Sequence, residues 1–405
     1  MSKILLIIGK LIFIVYFFFV GWYQAIYETL SGVVAPLAAA MIAVMLLYIY
    51  VARIRYNDIF LPQIKWWTVF AIFTGISGLF VAQELRMMLN SWMIYCAFLA
   101  MTVFVILAIK RDGNANFFIN LFCILSVMYA VRIITGGAEV GEYIRLSENT
   151  NRNADGILMC LGIFAFLYRI NPKKAVSIVF NLAVSCFLLY AIVFTASRKA
   201  LICAVFLIAI WAFLFVTNNW KDFKVSQKAV VIVIIIALLA GALFVFMPYL
   251  RSSYVYARLT DDSVVTGDEA RAGMYAESVE FFWQSPLAGL GYNQFRVHSR
   301  YNTYSHSTYA ELISCTGAIG TILWLVPMLM ILFKLWKQIR QADNVEQRNK
   351  ILLCFATIAM LLALGTGVIL PYNFQCVIII AIILGTSRLT ELQRAEKNDV
   401  EKKLT

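Results

Sequence analysis

Apolar runs of about 16 to 21 residues recur along the whole 405-residue chain, and each is about long enough to cross a bilayer as a helix. The hydrophobic share of 62% lies well above the roughly 45–50% apolar content of a soluble domain, and the mean hydropathy is +0.81. The fold class expected is therefore an all-α polytopic membrane protein. About 12 transmembrane helices are predicted, near residues 4–20, 33–51, 66–82, 92–109, 116–134, 154–169, 175–195, 199–216, 229–247, 307–333, 350–369 and 371–386. Pro371 either separates the last two or kinks a hairpin. Lys3 and Lys10 flank the first run and no small-residue cleavage site follows, which marks a retained helix rather than a removed signal peptide. The expected organisation is an N-terminal bundle over 1–187, a central region over 188–333 and a C-terminal hairpin and tail over 334–405. Within the central region, a long polar loop over 248–306 joins the ninth and tenth helices.

Basic residues orient the helices. With the N-terminus inside, 22 of the 34 Lys and Arg fall on the cytoplasmic side and 11 on the other, with Lys10 inside the first helix. This asymmetry fits the positive-inside rule, placing both termini in the cytoplasm and the long loop outside. The net charge of +12 is thus a topology signal, and nucleic acid is not an expected partner. The inner set is 14 Lys to 8 Arg, whereas the outer set is 10 Arg to 1 Lys. Lysine suffices for a point charge near headgroups, while arginine supplies a planar fork for phosphate or carboxylate. The sharper reading is an outward-facing site for a phosphorylated, acidic substrate. The competing reading is surface arginines paired with neighbours such as Glu139, Glu142 and Glu148. The eight cysteines sit in apolar runs without CxxC spacing and read as small buried residues rather than disulfides or metal ligands.

Three places could carry chemistry. The first is the outer turn Thr195–Lys199. Ser197 is a plausible N-cap, which puts Arg198 and Lys199 in the first turn of a helix. Two cations at the positive end of a helix dipole are costly without an anion, and free N–H groups beside a guanidinium make a phosphate cradle. Snorkelling to the interface is the competing reading, above all for Lys199. The second is Thr266–Ser285, where Thr266 and Glu269 have capping-box spacing and Pro286 ends the helix. Arg271, Tyr275, Ser278 and Phe282 share a face of this amphipathic surface helix, and Met274, Phe281, Phe282 and Trp283 are expected to seal the bundle. The third is Ser305–Glu311. Thr308 and Glu311 again have capping-box spacing, so His306 stands just ahead of the tenth helix. A positive helix end and nearby arginines disfavour imidazolium, leaving a neutral imidazole able to accept a proton from a hydroxyl. His298 lacks such a placement and reads as a loop residue. No DxD, HExxH, P-loop or GxGxxG stands in a sensible context, so no cofactor, nucleotide or bound metal is expected.

From about Leu188 to Leu332 the chain resembles the O-antigen ligase and polymerase superfamily of bacterial membrane glycosyltransferases, the Wzy and WaaL type. The resemblance rests on Ser197-Arg198 before a helix and on Arg271 early in the long loop. It rests also on Pro286-Leu287-Ala288-Gly289-Leu290-Gly291, on His306-Ser307-Thr308-Tyr309 with Glu311-Leu312, and on Thr316-Gly317-Ala318-Ile319-Gly320. Ser307 departs from the Asn usual after the histidine. The resemblance implies a GT-C-like architecture with 188–333 as the catalytic region. It implies transfer of a glycan from an undecaprenyl-diphosphate-linked oligosaccharide to an acceptor glycan lipid, with inversion and without metal. Arg198 and Arg271 would then hold the diphosphate and His306 would be the general base. Arg152, Lys199, Tyr275 and Arg300 complete the candidate substrate-binding residues, Arg152 because Asn151-Arg152-Asn153 resembles a weaker family feature. A chain-length regulator is a further candidate partner. The setting implied is the bacterial cytoplasmic membrane with the active site on its outer side.

Within the family, a polymerase uses a second lipid-linked repeat as acceptor and a ligase uses lipid A-core. No residue separates the two, and the polymerase reading is preferred. A flippase or other transporter is the alternative from a different class. It would more typically show internal repeats and ionisable residues at mid-membrane depth, whereas here polar residues gather at one outer face.

Overall fold

The computed structural model describes residues 1–23, 31–136, 152–171, 174–220, 228, 247–251, 256, 268–342 and 344–404, and among them the chain is helical without strands. The long helices are α1 (Ser2–Phe18), α2 (Ser31–Val51), α3 (Pro62–Val81), α4 (Leu85–Asp112), α5 (Asn116–Thr135), α6 (Arg152–Tyr168), α7 (Ala175–Phe194) and α8 (Arg198–Asn219). After these come the surface helix α9 (Asp268–Gln284), then α10 (Thr308–Arg340), α11 (Val345–Leu364) and α12 (Phe374–Leu404). Ten helices among the described residues are long and apolar enough to cross a membrane, and the shorter apolar α6 is an eleventh candidate. These match eleven of the predicted helices; the one expected over 229–247 lies outside the described residues. The protein is an all-α polytopic membrane protein.

Local chemistry sets the helix ends. Pro62 opens α3, where its missing N–H has no partner to lose. Gly113, at φ +70°, closes α4 behind Lys110 and Arg111, which complement the negative helix end. Pro371 falls in a short 3-10 turn, Leu370–Tyr372, so α11 and α12 are separate helices rather than one kinked element.

The chain divides into two compact units. One comprises Met1–Leu121, Gly267–Leu335 and Leu361–Thr405; the other comprises Phe122–Thr266 and Trp336–Met360. The first unit is centred on stacked phenylalanines from α1, α4, α5 and α12. Phe13 meets Phe118 edge-on at 5.1 Å, and Phe374 meets Phe98 at 5.3 Å and Tyr16 at 5.1 Å. At one end of this unit Asp58 pairs with Lys110 at 2.8 Å and lies 3.8 Å from Arg388, while Glu391 pairs with Lys334 at 3.0 Å and Arg388 at 3.3 Å. In the second unit, small residues let helices approach closely. A Cβ on Gly156 would stand 2.5 Å from that of Ala200, and one on Gly162 would stand 2.3 Å from that of Ser126.

One feature of the first unit governs its loops. Gly317, at φ +60° and ψ −166°, interrupts α10. In an unbroken helix Ala318 and Ile319 would donate to Ser314 and Cys315. Instead the Pro286–Gly291 segment lies in the break. Leu290 and Gly291 donate to the carbonyls of Ser314 and Cys315 at 3.0 and 2.9 Å, and Ala318 and Ile319 donate to Pro286 and Leu287 at 2.8 and 3.4 Å. Non-helical backbone inside a spanning helix is tolerated when its polar groups are paired by protein in this way. Main chain meets main chain here: a Cβ on Gly289 would lie 2.3 Å from the Cys315 carbonyl carbon, and one on Gly317 would lie 2.5 Å from that of Leu287.

Gly289 and Gly113 therefore separate two costs. Both have φ near +70°, but a Cβ on Gly113 meets nothing within 4 Å. Gly113→Ala should cost about 1–2 kcal/mol from backbone strain alone. Gly289→Ala should cost about 2–5 kcal/mol, since overpacking adds to that strain. Thermal unfolding of the two variants in detergent should rank them in that order.

Candidate active site

The turn before α10 is built from side chains that bond to main chain. Ser307 is the N-cap: its hydroxyl accepts the Ala310 N–H at 3.4 Å. The Thr308–Glu311 capping box expected from spacing does not form: the cap stands one residue earlier, and Ala310 occupies the place of the reciprocal acid. Thr308 instead ties the turn to the α11–α12 connection. Its N–H donates to Gly365 and Val368 at 2.7 and 3.1 Å, its hydroxyl donates to Val368 at 2.6 Å, and that oxygen accepts the Leu370 N–H at 2.9 Å. The Glu311 carboxylate reaches back past the cap to Ser305. Its Oε2 accepts the Ser305 N–H at 2.9 Å and lies 2.8 Å from the Ser305 hydroxyl.

Between these anchors His306 has φ +56°. A left-handed conformation costs an L-residue roughly 1–2 kcal/mol and persists only where surrounding bonds over-determine it. The imidazole lies 4.4 Å from the Tyr304 ring, between centroids, and its Nδ1 is buried without a hydrogen-bond partner. Burial, and secondarily the positive charge of Arg271, lower its pKa to about 4. The imidazole is neutral at physiological pH, as the sequence suggests, although burial rather than charge is the main cause. His298, in a short helix over Phe295–His298, has its pKa lowered by burial and packs edge-on against Phe281 at 5.9 Å.

Helix α9 carries Arg271, Tyr275 and Glu277. Met274, Ser278 and Phe281 face the core and Gln284 ends the helix ahead of Pro286. Trp283, expected in the sealing face, is 71% exposed because it lies on the opposite side of the helix from Phe281. Thr266, the expected cap, lies outside the described residues. Tyr275 donates its hydroxyl to the Thr366 carbonyl at 3.1 Å, so it braces α9 against the connection that Thr308 holds. Arg300 pairs through Nε with Glu277 Oε1 at 3.0 Å, and Ser299 donates to Glu277 Oε2 at 2.6 Å. Arg271, Tyr275, Arg300 and His306 thus belong to the first compact unit, with Arg271 near enough for its charge to act on the imidazole.

The second unit holds Arg152, Arg198 and Lys199. Ser197 caps α8 as the sequence indicates, accepting the Ala200 N–H at 3.3 Å and donating to Asn153 Oδ1 at 2.8 Å. Arg198 and Lys199, both half-buried, open α8. Arg152 is the first residue of α6, one before Asn153; only its backbone is described. The turn ahead of α8 also contains a left-handed residue that is not glycine, the fully buried Ala196 at φ +53°. Among the described residues no three His, Cys, Asp or Glu side chains gather closely enough to hold a metal ion.

The fold and the candidate residues define a class: a polytopic helical membrane protein with arginines and a histidine at helix entrances in one unit or the other. The sequence model of the O-antigen ligase family matches residues 182–325, in agreement with the resemblance to the ligase and polymerase superfamily. The matched stretch runs from α7 into α10 and contains Arg198, Lys199, Arg271, Tyr275, Arg300 and His306, but not Arg152. No curated protein matches the chain. Sequence reasoning missed the grip of Glu311 on Ser305, the Glu277–Arg300 pair and the role of residues 365–370 as a base for the His306 turn. Only Glu311 left a signal, as an acidic residue inside an apolar run.

The histidine environment has a measurable sign. His306 binds its proton more weakly in the folded than in the unfolded chain, whose histidine pKa is about 6.5. Its contribution to stability is complete above about pH 6.5 and is lost as pH falls toward 4. The chain has two histidines. With 13C-labelled imidazoles, the His306 signal should titrate with a midpoint near pH 4, and Arg271→Gln should move that midpoint upward.

Proposed function

We propose that this protein transfers a glycan from an undecaprenyl-diphosphate carrier to a sugar hydroxyl, as a polysaccharide polymerase of O-antigen, capsular or exopolysaccharide type. The family match supports a ligase- or polymerase-type role. The observation that carries the finer reading is the neutral, half-buried His306, with Arg271 near enough for its charge to act on the imidazole. The neutral imidazole takes the proton of the acceptor hydroxyl as its oxygen attacks the anomeric carbon. The bond from that carbon to the diphosphate breaks on the opposite face, so the configuration inverts. The electron pair leaves with the diphosphate, where Arg271 stabilises the growing charge. A diphosphate leaving group needs no metal on this route. The α8 N-terminus with Arg198 is a second phosphate-binding candidate, with Arg152 and Lys199 near the same helix ends. Arg300 keeps its remaining guanidinium nitrogens for the glycan.

An imidazole of pKa about 4 is a weak base at neutral pH. An anionic donor at Arg271 offsets the cation that depresses it and adds negative charge, both of which raise its proton affinity. Activity should fall as pH drops through the histidine pKa. The acid limb should lie near pH 4 for kcat/KM and at higher pH for kcat, because the two report the free and donor-bound enzyme.

A ligase, the activity after which the matching family is called, is the alternative reading. Purified protein in liposomes with EDTA and undecaprenyl-diphosphate repeat units as sole substrate should build a glycan ladder. His306→Ala should lower transfer by roughly 10²–10⁴-fold with donor binding retained. Arg271→Ala and Arg198→Ala should each weaken donor use, and Lys at either position should restore it only in part. Transfer only after lipid A-core is added would assign the ligase instead. Movement of unaltered substrate across the bilayer would replace both readings with a transporter.

A further inference from the structure

The His306 turn rests on a carboxylate for which the transfer chemistry has no use. Glu311 is 1% exposed. Burying a carboxylate is costly unless its oxygens are bonded, and a leucine would fill the same volume without that cost. The strong contacts it makes converge on one residue. Oε2 accepts the Ser305 N–H at 2.9 Å and stands 2.8 Å from Ser305 Oγ, whereas Oε1 meets only the Cys315 thiol, at 3.6 Å. Ser305 Oγ is also 3.0 Å from the Ser307 carbonyl, so its single proton is shared between two acceptors, and it accepts the Ser307 N–H at 3.4 Å. Ser305 immediately precedes His306, the residue held at φ +56°. The other side of His306 is fixed separately, through Thr308 on Gly365 and Val368. Without the carboxylate, Ser305 keeps only its bonds to Ser307, within the turn itself.

We infer that Glu311 is a positioning residue: by gripping Ser305 it keeps the His306 backbone left-handed and so sets where the imidazole stands. It acts through Ser305 and touches no reacting atom. This deepens the proposed function and rests on His306 as the base. What the turn requires is an acceptor oxygen rather than a charge. Glu311→Gln retains that oxygen, and Glu311→Leu removes it at similar volume.

The test uses the full chain with 13C-labelled histidine, whose two imidazoles give two signals. In Glu311→Leu the His306 signal should move while that of His298 stays, and in Glu311→Gln neither should move. With undecaprenyl-diphosphate repeat units as substrate, Glu311→Leu should lose about 100-fold in kcat, the scale expected of a base misplaced by an ångström, with KM within about threefold of wild type. Glu311→Gln should keep kcat within about threefold. A folded Glu311→Leu with an unmoved His306 signal overturns the inference, as does a loss shared equally by the Gln variant. If Glu311→Leu does not fold, Glu311→Met decides, because it keeps an unbranched side chain and lacks the acceptor oxygen: a moved His306 signal with kcat lowered about 100-fold supports the inference, and an unmoved signal overturns it. Failure of the functional reading has a different signature. Full transfer in His306→Ala removes the base assignment, while a moved His306 signal in Glu311→Leu still shows that the carboxylate sets the turn.

Discussion

Four main-chain hydrogen bonds between Pro286–Gly291 and the interruption at Gly317 are the constraint on which the rest of the first unit depends. In hydrocarbon an unpaired peptide group costs several kcal/mol, so a break in a spanning helix survives only if another segment pairs with it. The inserted segment fixes where α9 ends and where the loop toward His306 begins. It also explains why both partner stretches are glycine-rich. At Gly289 and Gly317 two backbones approach to a distance that leaves no room for a methyl group.

Tension between stability and site geometry recurs at both helix entrances. Ahead of α10 the strained residue is His306, and ahead of α8 it is Ala196, with Ser307 and Ser197 as the respective caps. In each case a side-chain oxygen satisfies an amide of the first helical turn and the residue before the cap is left-handed. Such strain is a structural cost, and it is retained where neighbouring bonds enforce it. Around His306 those bonds come from Glu311, from Thr308 and from the connection between α11 and α12.

What could be read in the sequence and what could not divides along physical lines. Hydrophobic run length located the helices, and the local rule for caps located Ser197. The neutral state of His306 was also legible, although its main cause, burial, needs a three-dimensional structure. The glycine motifs were visible as motifs, but their mutual pairing was not, because main-chain hydrogen bonds carry no side-chain code. Arg300 and Glu277 stand 23 positions apart on different elements, and nothing local announces that they pair. Apolar character places Trp283 in the sealing face with Phe281. Two residues further along a helix turn a side chain to the other side, so Met274 and Phe281 face the core as expected, joined by Ser278, and Trp283 does not.

The bond from Thr308 to Val368 spans 60 residues. A ribosome adding about 5–20 residues per second reaches Val368 roughly 3–12 seconds after Thr308. During that interval His306 can be in the membrane while the base of its turn has not yet been made. The environment of His306 is therefore a late product of synthesis, completed only when the connection ahead of α12 has been inserted. A nascent chain reaches the bilayer well before it possesses this site.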